Sequence, residues 1–80
     1  MEIDERIVFV DYYGMIIMVD QRFDPPFIKA TYDGKDMSIK CDGSIKWFSA
    51  GFPKDKYEEL RAWVLDHQDE ILNKRLRENA

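Results

Sequence analysis

The residues with chemistry to offer are few. The chain has one histidine, His67, and one cysteine, Cys41. Asp66, Asp69 and Glu70 surround His67, and a helical His-x-x-Glu spacing serves di-metal sites when facing helices bring more ligands. This chain reads as having one helix, so the spacing predicts a packed or hydrogen-bonded histidine instead. A cysteine turns nucleophilic when a neighbour lowers its pKa. Cys41 continues the alternation of Met37 and Ile39, which predicts an inward, inert thiol. No glycine-rich phosphate loop and no cysteine pair for zinc is present. The reading is therefore of a non-enzyme, with no catalytic residue, no metal and no cofactor.

Two sets of surface residues remain. Lys29, Lys40 and Lys46 fall on one side of the strand alternation, and Arg75 and Arg77 lie near the C-terminus. With Tyr12, Tyr13 or Trp47 as stacking partners they make the alternative reading, an RNA-binding or RNA-acting module. A net charge of −4 weighs against it, because affinity for phosphate backbones rests on positive charge. The favoured set is apolar: Leu65, Leu72 and Leu76 with Ile16 and Met18 of a wholly apolar run. Exposed together, they form a patch larger than a soluble monomer tolerates. They predict a homodimer or a small protein partner, and a protein-interaction module as the function.

These residues need elements to hold them. Residues 6–11, 15–19, 27–33, 35–42 and 44–48 read as five strands, rich in β-branched and aromatic residues. Asp33-Gly34 and Asp42-Gly43 are hairpin dipeptides, since both central residues of a type I′ turn need positive φ. Pro25 and Pro26 belong at a strand entry. Ile28, Ala30, Tyr32, Met37, Ile39, Cys41, Ile45 and Trp47 are expected to face a helix. Lys29, Thr31, Ser38, Lys40, Ser44 and Lys46 are expected to face water, as on one side of an antiparallel sheet.

The helix is expected over residues 53–78. Pro53 suits a first turn, and Asp55, Glu58 and Glu59 at one end with Lys74, Arg75 and Arg77 at the other suit the helix dipole. At 100° per residue, Tyr57, Leu60, Trp63, Val64, His67 and Ile71 form one stripe, with the three leucines on a flank. Such a helix is about 39 Å long, against about 17–20 Å for a strand, so it should overhang its sheet. The fold class is α+β: a five-strand, mostly antiparallel meander with one long C-terminal helix on one face.

Eighty residues make a single domain, 1–80, near the lower limit for a self-sufficient core. Residues 1–5 read as a mobile, charged end. A lone thiol suits a reducing compartment. No apolar run reaches the ~20 residues a membrane span needs, and the acidic start lacks signal-peptide character. A cytoplasmic location is expected.

Several landmarks occur in a recognisable order: Tyr13-Gly14-Met15-Ile16-Ile17-Met18, Pro25-Pro26-Phe27, Ala30-Thr31-Tyr32, Phe52-Pro53, Ala62-Trp63-Val64 and His67-Gln68-Asp69-Glu70-Ile71-Leu72. Over residues 13–72 the chain resembles the bacterial domain-of-unknown-function family numbered 4160. Members of that family usually carry histidines around the Pro-Pro pair, where this chain has Asp24, Phe27 and Lys29. No metal or proton-transfer role of those histidines transfers. The spacing from Gly14 to Pro25 is also about one residue short. The resemblance implies a fold and a setting beside another short gene, as in a toxin–antitoxin-like pair. It implies no reaction.

Overall fold

The computed structural model describes residues 5–77. The mobile end expected over residues 1–5 falls almost wholly outside them, as does a helix end at 78. Five strands form one sheet in the order β1-β2-β3-β4-β5, each antiparallel to the next. They are β1 (Ile7–Tyr12), β2 (Met15–Asp20), β3 (Phe27–Tyr32), β4 (Lys35–Ile39) and β5 (Ile45–Phe48). Asp33 and Gly34 take φ of 51° and 75°, the pair of positive values that a two-residue I′ hairpin requires. The β4–β5 hairpin is closed differently. Gly43 N–H donates to Lys40 O and Lys40 N–H to Ser44 O, enclosing three residues with only Gly43 at positive φ. That is a type I turn with a glycine bulge, not the expected I′ turn.

Helix α1 (Lys54–Asp66) starts one residue after the expected position, and a short α2 (Gln68–Leu72) follows. The stripe reading holds: Leu60, Trp63, Val64 and Ile71 are buried and Tyr57 packs beside them. They meet Val8, Met15, Ile17, Val19, Ile28, Ala30, Met37 and Ile39 from one face of the sheet. Thirteen residues give α1 a length of about 20 Å, matched to six-residue strands. The expected rod of about 39 Å would exceed the molecule's longest dimension, 33 Å; no overhang exists among the described residues.

The helical run stops at a Schellman turn. Arg75 N–H donates to Glu70 O at 2.8 Å and Lys74 N–H to Ile71 O at 3.0 Å, with Lys74 at φ 56°. Lys74 therefore holds the left-handed position that glycine usually takes. The chain then turns back and buries Leu76, 4% exposed, in the core. Gln21 holds it there. Its Oε1 accepts the Leu76 N–H at 2.9 Å and its Nε2 donates to Leu76 O at 3.2 Å. Lys74→Gly relieves the backbone strain and should stabilise the domain by about 1 kcal/mol, since a side chain in this region costs about 1–2 kcal/mol. Urea unfolding measures it; a lower midpoint would show that the lysine side chain contributes more than its backbone costs.

Candidate functional site

Cross-strand partners share a face, so the register defines the side of the sheet away from the helices. One row runs Phe9, Met18, Lys29, Ser38, Trp47 across all five strands. Asp11, Ile16, Thr31 and Asp36 form a flanking row, and Ile7, Asp20 and Phe27 the other. This open face was expected to be polar. It carries Lys29, Thr31 and Ser38, but also Phe9 at 52% exposure and Ile16 and Trp47 at 43%. Ser38 is fully buried between its row neighbours, and its hydroxyl donates to Ile28 O at 2.8 Å.

Trp47 was expected to face the helix. A register shift at Ser38/Ile39 reverses it: Met37 pairs with Phe48, Ser38 with Trp47 and Ile39 with Ile45. Lys46 is the extra residue of a β-bulge, and one extra residue transfers every later side chain to the opposite face.

The apolar set chosen from sequence is not brought together. Leu76 is buried within its own chain and offers no surface. Leu65 and Leu72 are exposed at 36% and 51%, but on the outer side of the helices. Ile16 and Met18 stand on the open side of the sheet. In a two-layer domain these surfaces point opposite ways. The residues overlooked were Phe9 and Phe27. Strand β1 alternates apolar residues on both faces, as β2 does, and that was the available signal.

One end of the open face deepens into a groove of about 760 Å³ between the β2–β3 loop and the β4–β5 hairpin. Met18, Phe23 and Phe27 line it with Pro25 and Pro26, where the Asp24–Pro25 bond is cis. Lys40 and Lys46 stand on the hairpin side, with Lys46 Nζ 5.3 Å from the centre of the Phe27 ring. The carboxylate of Asp20 is buried at the groove and held by Arg22, Nε–Oδ1 2.9 Å and Nη2–Oδ2 2.6 Å. This two-pronged pairing is the geometry that suits a buried carboxylate.

The lysines of the alternative set are thus split: Lys29 lies mid-face, while Lys40 and Lys46 line the groove. Neither Arg75 nor Arg77 lines it, and Arg75 Nη2 lies 3.9 Å from Asp69 Oδ2.

Cys41 is buried, and its thiol donates to Pro26 O at 3.7 Å. Burial first, then the Asp42 charge, raises its pKa above the ordinary thiol value, which makes the nucleophilic thiolate scarcer. His67 stacks on Trp63 at 4.4 Å. Its Nδ1 lies 2.8 Å from Trp63 O; a carbonyl only accepts, so Nδ1 carries the proton. Among the described residues no three His, Cys, Asp or Glu side chains converge to hold a metal. No helix among them is long and apolar enough to cross a membrane.

A family model described as "Domain of unknown function (DUF4160)" matches residues 14–74, more than half of the chain. No curated protein and no solved structure matches the chain.

Proposed function

This chain belongs to the DUF4160 family, and we propose that it is a protein-interaction module whose contact surface is the open face of the sheet, paired with a second copy of itself. The observation that carries this reading is the uncovered row from Phe9 through Met18 to Trp47, with Ile16 and Phe27 beside it. An antiparallel sheet with one solvated face normally turns polar residues outward. Five strands of this length offer roughly 400 Å² in plan. Lys29 at the centre and Asp11 and Asp36 in the flanking row put both charges on one face, so two copies about a two-fold axis can pair them. The lone thiol and the family resemblance favour action in the cytoplasm, as part of a two-gene, toxin–antitoxin-like module.

Light scattering tests it. The expected mass is twice 9.6 kDa, falling to one protomer in Phe9→Glu and in Trp47→Glu, both of which should keep a near-native melting temperature. A wild-type monomer up to about 100 μM, where any association stronger than about −5.5 kcal/mol would register, overturns the homodimer. So does a dimer that persists in both variants.

A second reading, nucleic-acid binding, rests on Phe9, Lys29 and Trp47 sharing that row. Aromatic rings and cations on an open sheet are a stacking platform for single strands. A titration with single-stranded RNA at low and moderate salt, followed by Trp47 fluorescence, decides it. Absence of binding at low salt, where the phosphate contribution is greatest, ends this reading.

A further inference from the structure

The groove beside the β2–β3 loop has a chemistry distinct from that of the flat face. We propose that it binds a small aromatic anion, a flat ring bearing a phosphate or a carboxylate. Its size is right: about 760 Å³, within the range of pockets that hold small ligands. One wall is aromatic. Phe23 and Phe27 meet edge to face at 6.3 Å, and Phe23 is 55% exposed, so ring surface is open to a third ring, offset-stacked or edge to face.

The opposite wall is cationic. Lys40 lies near the Asp42 carboxylate, whose pKa is lowered by its hydrogen bonds from Ser44 and, further, by the Lys40 charge. Asp20 is already held by Arg22, and Asp24 Oδ1 lies 4.0 Å from Lys74 Nζ. Among the described residues neither Lys40 nor Lys46 forms an ion pair. Two ammonium groups outside any close ion pair therefore stand beside an aromatic wall in a chain whose net charge is −4. Lys46 is placed to serve both parts of such a ligand, because its Nζ already sits over the Phe27 ring. A bound ring lies along Phe23 and Phe27, and its anionic group reaches Lys46 and Lys40. A neutral ring forgoes the charge pairing, and a bare anion forgoes the apolar burial.

Uridine monophosphate and benzoate are the probes, titrated into ¹⁵N-labelled protein. Uridine and inorganic phosphate are the ring-only and anion-only controls. At least one probe should give saturable shifts at the amides of Phe23, Phe27, Lys40 and Lys46, with each control at least about ten-fold weaker. The tighter probe assigns the source, nucleotide or aryl carboxylate. Lys40→Ala with Lys46→Ala should weaken binding by about ten-fold or more, as expected for loss of charge-assisted hydrogen bonds, at an unchanged melting temperature. Phe23→Ala, a truncation of an exposed side chain, should also weaken it. The proposal falls if neither probe saturates by about 10 mM. It also falls if phosphate alone binds as tightly as the probes, or if the shifts survive the double lysine variant.

Discussion

Gln21→Ala should remove about 2–4 kcal/mol of stability in urea unfolding, from a total of roughly 4–12 kcal/mol expected at this length. Gln21 is 3% exposed, and its amide closes a ring of two hydrogen bonds with the backbone of Leu76, itself 4% exposed. A third contact runs from Nε2 to Arg6 O at 3.3 Å. Alanine leaves a buried N–H and a buried C=O of Leu76 without partners, and each orphaned group costs about 1–3 kcal/mol. Leu76→Ala should cost a comparable 2–5 kcal/mol by emptying its site in the core. The two losses should not add, because either one frees the same C-terminal segment. A double-mutant cycle should show coupling of about 1 kcal/mol or more. Leu72→Ala, at 51% exposure, should stay within about 0.5 kcal/mol of wild type. If Gln21→Ala unfolds with the wild-type midpoint, the clamp contributes nothing and the docking of Leu76 needs another cause.

The two tryptophans should respond in opposite ways. Trp63→Ala is expected to cost about 3–5 kcal/mol, the range for deleting a large buried aromatic. Trp63 is 5% exposed in the core, and His67 rests on its ring at 4.4 Å. Trp47→Ala should cost the folded protomer under about 1 kcal/mol, because 43% of that side chain faces solvent. Fluorescence separates them without a stability measurement. The emission left in Trp47→Phe should be blue-shifted and resistant to iodide. The emission left in Trp63→Phe should be red-shifted and quenched, and it should move to the blue as protein concentration rises if two open faces pack together. Equal quenching of both variants at low concentration would contradict the assignment of these residues to core and surface.

Much of the fold could be read along the chain because its signals are local. Asp33-Gly34 marks its own turn, since the two positive φ values concern adjacent residues. The stripe Leu60, Trp63, Val64 and Ile71 depends on helical period alone. What failed was non-local. A helix running to residue 78 is expected because Lys74, Arg75 and Arg77 suit its negative end, yet Leu76 has a better place against Gln21, 55 residues earlier. The face that Trp47 takes is decided in the same non-local way. Periodicity of two assigns faces only while the register is unbroken, and the bulge at Lys46 moved Trp47 to the open side.

Composition and pattern by themselves determined the five strands, their hairpin connections, the buried stripe of α1, and the lack of any local motif for metal or phosphate. Tertiary structure alone decided that the helical segment folds back at Lys74, that Leu76 is core, and that the open side of the sheet carries apolar surface and ends in a lysine-walled groove. The physical reason is that a hydrogen bond within a turn or helix is set by neighbours along the chain. Which face stays bare is set by what the rest of the molecule has left over to cover it.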